Sequence, residues 1–131
     1  MPRPKEEYPT PGELEVLKIL WDQGPSTVRR VMEVLNRRRE RAYTSVMSLL
    51  NVMTDKKLLK RKPHGRAFLY EARVVRERTL GRMVKDLLRR AFEGSATDLV
   101  AHVLDESNPS EEELTAIRKT IEQYQPRGDI E

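Results

Sequence analysis

The feature that most constrains this chain is a change of hydrophobic period. From Thr10 to Met53 apolar residues recur at helical spacing in three short runs, and directly afterwards the spacing falls to that of a strand pair. Thr10-Pro11-Gly12-Glu13 sets a capping hydroxyl, a proline at the first helical position and a glutamate three residues after the cap, the pattern of a capping box. It predicts a first helix from Pro11 to Gln23 with Leu14, Leu17 and Trp21 as its stripe, Val16 and Leu20 beside them, and Gly24-Pro25 as its stop. Ser26 is expected to cap a second helix in which Val28, Val31, Met32 and Leu35 share one face. After the basic link Arg38 to Arg41, a third helix buries Val46, Leu49, Leu50 and Met53. Leu58–Lys62 and Arg66–Glu71 then flank Pro63-His64-Gly65, a turn between alternating runs, which predicts a β-hairpin with a basic tip and with Phe68 and Tyr70 buried on one face.

Three short helices followed by such a hairpin make a winged helix-turn-helix. From Val75 the helical period returns. Leu80, Met83, Val84, Leu87, Leu88 and Ala91 form one stripe, Leu99, Val100, Val103 and Leu104 a second behind a Ser95 cap, and Leu114, Ile117, Ile121 and Tyr124 a third behind Ser110. Helices this short, without a large core of their own, are not stable alone. Leu80, Met83, Val84, Leu87, Leu88, Leu99, Val103, Leu114, Ile117 and Ile121 are therefore expected to pack against a second copy of the chain. The fold class is mainly α with a small β-hairpin wing: an N-terminal winged helix-turn-helix plus a C-terminal helical dimerisation region. The boundaries are a tail at 1–9, the winged helix at 10–73, the dimerisation region at 74–125 and a tail at 126–131.

Composition narrows the function. The chain has 131 residues, so it holds one domain or two very small ones. Cysteine is absent, which excludes disulfide scaffolds, thiolate metal sites and cysteine nucleophiles together. Two histidines, His64 and His102, are too few to build a usual metal site by themselves. No Gly-rich phosphate loop, HExxH or Ser-His-Asp arrangement is present, and acidic clusters such as Glu111-Glu112-Glu113 sit where a helix N-terminus already favours acid. No enzyme activity and no cofactor are expected. No apolar run approaches the ~20 residues of a membrane span, and the first residues lack the apolar core of a signal peptide, so a cytoplasmic location is expected.

Charge is distributed unevenly. Residues 1–70 carry 15 basic and 8 acidic side chains, residues 71–131 carry 10 and 13, and the span 26–66 holds 12 basic against 3 acidic. Such a block is the footprint of a polyanion partner. Embedded in it is a helix without charge: no Lys, Arg, Asp or Glu occurs between Tyr43 and Thr54. An ordinary solvated helix face carries Glu and Lys pairs, so Tyr43, Thr44, Ser45, Met47, Ser48 and Asn51 are expected to read base edges, with Asn51 suited to adenine. Arg41 is placed to reach phosphate or guanine at the start of this helix. Thr27, Arg29 and Arg30 at the second helix, and Lys60, Arg61, Lys62, His64 and Arg66 in the wing, are expected to contact the DNA backbone, which positions without specifying sequence. A basic face docked on an acidic protein, or nonspecific DNA binding, is the alternative reading.

Gly12-Glu13-Leu14-Glu15-Val16-Leu17 leading to Leu20-Trp21, Thr27-Val28-Arg29-Arg30-Val31, and Ala42-Tyr43-Thr44-Ser45-Val46-Met47 before the basic hairpin resemble the penicillinase repressor (BlaI/MecI) family of bacterial regulators. The resemblance spans about residues 10 to 124. It implies a homodimeric winged-helix repressor of a palindromic operator, with the C-terminal helices dimerising. It further implies release through a membrane sensor-protease or its downstream protease, cutting between an asparagine and a phenylalanine. The matching place is His102-Val103, where that pair is not preserved. A copper-responsive branch of the family uses a cysteine cluster, which this chain lacks.

Overall fold

The computed structural model describes residues 8–128. Among them the element order is α1 (Pro11–Gln23), α2 (Val28–Leu35), α3 (Tyr43–Asp55), β1 (Leu59–His64), β2 (Ala67–Ala72), α4 (Arg76–Phe92), α5 (Ala96–Ser107) and α6 (Glu111–Gln123). This is a winged helix followed by three further helices. The predicted end segments lie mostly outside the described residues, although Pro9, assigned to the N-terminal tail, is buried. The chain divides into two compact units, one running to Asp86 and one from Leu87 onward.

In the first unit the core is built by α1, α2, α3 and the base of the hairpin. Val16, Leu17, Val31, Val46, Leu50, Met53, Leu59 and Tyr70 are essentially inaccessible to solvent. Full burial of one such aliphatic side chain stabilises by about 1.5–3 kcal/mol. The capping box forms as the sequence predicts. Glu13 N–H donates to Thr10 Oγ1 at 3.2 Å, and Thr10 N–H donates to Glu13 Oε1 at 3.0 Å. Gly24, at φ 78°, ends α1 with its N–H on the Leu20 carbonyl, a backbone conformation that favours glycine. Trp21 Nε1 donates to the Val74 carbonyl at 2.9 Å, tying α1 to the segment beyond the wing.

Three local expectations are corrected. Ser26 does not cap α2: its backbone pairs both ways with Tyr70, at 2.9 and 2.8 Å, as a one-residue third strand of the wing. Thr27 is the cap instead, accepting from Arg30 N–H at 3.2 Å. The hairpin register runs from Leu59 opposite Ala72 to His64 opposite Ala67, so the turn is Gly65-Arg66 and not Pro63-His64-Gly65. Gly65 at φ 63° supplies the positive φ that two-residue hairpin turns require. Phe68 is exposed although it shares a strand face with the buried Tyr70, because it pairs with Pro63 near the tip, where the hairpin has extended beyond the helices.

The second unit is assembled differently. Ser95 and Ser110 cap α5 and α6 by accepting from Asp98 and Glu113 N–H, each at 3.1 Å, and Asn108 ends α5 in the left-handed conformation. Neither α5 nor α6 fully buries any residue. Leu88, Leu99, Leu114 and Ile117 are half-buried, and Leu87, Val103 and Ile121 are exposed.

Candidate nucleic-acid interface

The N-terminus of α3 is set by an arginine clamp. Arg41 donates through Nη2 to Glu15 Oε2 of α1 at 2.7 Å and through Nη1 to the Leu35 carbonyl ending α2 at 3.1 Å. Its own N–H donates to Asn36 Oδ1 at 2.9 Å. Arg41 is therefore placed differently from the expectation: its guanidinium is half-buried and turned toward α1 and α2, where it orients α3 instead of projecting with it. At the other end, Lys56 Nζ lies 2.9 Å from Glu13 Oε2. Glu13 thus serves the cap of α1 with one carboxylate oxygen and holds the C-terminal end of α3 with the other.

Between these two ties α3 offers one face to the core and one outward. Val46, Leu50 and Met53 are buried, whereas Tyr43, Thr44, Ser45, Met47, Ser48 and Asn51 are all exposed. That face carries hydroxyls, an amide, a phenol and a thioether, and no formal charge. Such groups match donors, acceptors and the thymine methyl group in a DNA major groove.

Exposed cations lie on the elements next to α3 in the chain. Arg29 is exposed on α2, as are Lys62, His64 and Arg66 at the wing tip. Lys60 pairs with Glu71 across the hairpin at 3.2 Å. Arg30 is engaged by Gln23 Oε1 at 2.8 Å and by Glu33 Oε2 at 3.3 Å, and the Thr27 oxygen already accepts as the cap. Arg61, expected on phosphate, is joined to Asn51 and lies against Phe68. Arg37, Arg38 and Arg39, read from sequence only as a fraying run and link, form an exposed basic turn between α2 and α3. Their run of like charge was the available signal.

The stripe of the second series is divided: Leu80 and Met83 are half-buried in the first unit with Val84 exposed, while the remaining residues belong to the second. His102 and Val103 are exposed near the middle of α5. The His102 ring lies edge-on to Phe92 at 5.0 Å, and its Nδ1 is 2.9 Å from the Asp98 carbonyl oxygen. That contact raises its pKa above the ordinary value, reinforced by the charges of Asp98, Asp105 and Glu106 and partly offset by desolvation.

The model of the penicillinase repressor family matches residues 9–123. The chain belongs to that family. It is 32% identical over 114 residues to the transcriptional regulator BlaI of Mycobacterium tuberculosis, covering 84% of this chain and 81% of that protein. It is 22% identical over 116 residues to the penicillinase repressor of Bacillus licheniformis, covering 88% and 91%. The crystal structure of RV1404 from Mycobacterium tuberculosis has a similar fold, with TM-score 0.53 and 20% identity over 93% of this chain and 80% of that one. The penicillinase repressor family consists of transcriptional regulators and not enzymes, and this member is a DNA-binding transcriptional repressor of winged-helix architecture. Among the described residues no helix is long and apolar enough to cross a membrane.

Proposed function

We propose that this repressor is a homodimer that lays α3 in the major groove of each half of a palindromic operator, while the wing tip grips the flanking phosphates. The observation that carries this reading is the uncharged, exposed outer face of α3, flanked in the chain by the exposed cations of α2, the Arg37–Arg39 turn and the wing. Tyr43, Thr44, Ser45, Met47, Ser48 and Asn51 supply base contacts. Arg29, Lys62, His64 and Arg66 supply sequence-independent grip, joined by the Arg37–Arg39 turn. Arg41 is assigned to orienting α3. The unburied stripes of α5 and α6 support dimerisation, because exposed apolar side chains at helical spacing gain most from covering one another. Two recognition helices related by a two-fold axis call for an inverted repeat with half-sites ~34 Å apart or a multiple of that. Release by a membrane sensor-protease or its downstream protease, acting at His102-Val103, requires α5 to unwind locally, since both residues lie within its helix.

The test is selection of genomic fragments by the purified protein at ~150 mM salt, where exposed charges act over only a short range. A few promoter fragments sharing an inverted repeat are expected. Recovery of every fragment equally overturns the base-reading role of α3.

A further inference from the structure

Arg61 lies between the wing and α3 and is bound to both. Its Nη1 donates to Asn51 Oδ1 at 3.3 Å and to the Tyr70 hydroxyl at 3.5 Å, and its Cζ stands 4.5 Å from the centre of the Phe68 ring. Tyr70 is buried, so one contact ties the guanidinium to the core, and the aromatic face adds a cation–π attraction. A guanidinium has only N–H donors, so the Asn51 atom that meets it is the amide oxygen. Oδ1 is thereby turned to the wing, and the two N–H donors of Nδ2 are what Asn51 offers to a groove.

We propose that Arg61 is a positioning residue that makes Asn51 a donor-only reader, so that one position of each half-site is guanine or thymine and not adenine. The proposal rests on the reading of α3 as the groove helix. An unrestrained asparagine suits adenine because its oxygen accepts from N6 while its nitrogen donates to N7. With the oxygen held toward Arg61, the amide cannot set Oδ1 on adenine N6 and Nδ2 on N7 at once, so the bidentate adenine pair is lost. Guanine presents two acceptors, O6 and N7, to the two remaining donors and thymine presents O4, whereas adenine sets its N6 donor beside its single acceptor N7, against the second Nδ2 donor, and the cytosine N4 group is itself a donor. The wing therefore contributes to base choice without touching a base.

The experiment is selection from a randomised duplex by the full chain, for the wild type, Arg61→Ala and Asn51→Asp, with binding to the selected site measured at several salt concentrations. The wild type should favour guanine or thymine at one position per half-site. Arg61→Ala should shift that position toward adenine by about fivefold or more, the discrimination of one bidentate pair, with the other positions and the salt slope unchanged. Asn51→Asp keeps an acceptor for Arg61 but loses both donors, so the guanine or thymine preference there should vanish. If Arg61→Ala weakens all sequences alike and lowers the salt slope by about one, Arg61 is a phosphate contact and the proposal fails while the groove reading stands. If Arg61→Ala does not fold, Asn51→Asp decides, because an unchanged preference overturns the proposal. A wild type without base preference at any position overturns both readings together.

Discussion

The two units of this repressor share helix lengths and cap chemistry but differ in what they bury. The first encloses Leu17, Leu50, Met53 and Tyr70 almost completely, although α2 is only eight residues long, because the base of a hairpin closes the space left by three helices. The second has equally regular helices, yet α5 and α6 fully bury no residue. Good caps and periodic stripes therefore do not by themselves yield a core. The missing ingredient is an element that crosses the helices, which in the proposed homodimer a second copy of the chain would supply.

The largest break of this comparison is Leu87→Asp, which puts a charge on the exposed apolar stripe. The expected outcome in analytical ultracentrifugation is a species of half the wild-type mass, with operator binding lost at concentrations that saturate the wild type. An unchanged mass would mean that the stripe is internal to one chain. Next in size is Leu50→Ala, at a fully buried position of the first unit. It should lower unfolding stability by about 2–5 kcal/mol in urea titration, with the mass unchanged. If Leu50→Ala also halves the mass, the division of labour between the units is wrong.

A smaller effect comes from Lys57. It follows α3 at φ 67°, with its N–H on the Thr54 carbonyl at 3.0 Å and the Leu58 N–H on the Met53 carbonyl at 2.9 Å, the bonding pattern of a Schellman end. Lysine has a Cβ that this conformation penalises, so Lys57→Gly should raise stability by about 1 kcal/mol. Glu13→Gln sharpens the account of α3 placement: it retains an acceptor for the Thr10 N–H and weakens only the Lys56 contact. It should cost less than Glu13→Ala, which also loses half of the box and about 1 kcal/mol with it.

These variants also mark what was legible in the sequence. The Thr10–Glu13 box, the buried stripe of α3 and its uncharged outer face follow from spacings of a few residues, and local rules read them correctly. The contacts that aim α3 do not. Arg41 meets Glu15 and Lys56 meets Glu13 across separations of 26 and 43 residues, and no period in the chain joins such partners. Phe68 misled because strand alternation gives the face of a residue but not how far along the hairpin the core extends. Ser26 misled because a serine before a helix looks the same whether its side chain caps or its backbone pairs with a strand. Arg61 reads in the sequence as one more cation of the wing, because only the fold sets Asn51 and Phe68 beside it.

The smallest predicted effect concerns His102 in the second unit, where exposed side chains leave room only for modest electrostatics. Its pKa lies above 6.5 chiefly because Nδ1 holds the Asp98 carbonyl, and then because of the Asp98, Asp105 and Glu106 charges, against a lowering by desolvation. A raised folded value means that the protonated ring favours the fold. The contribution is complete below the unfolded value of ~6.5 and is lost as pH rises through the folded value. Asp98→Asn removes the nearest carboxylate, 3.3 Å from Nδ1, and keeps the carbonyl. In an NMR titration the His102 ring should therefore lose only part of its upward shift. If the midpoint instead falls to that of the denatured chain, the carboxylate and not the helix carbonyl holds the proton, and the local order of the capped α5 contributes nothing to it.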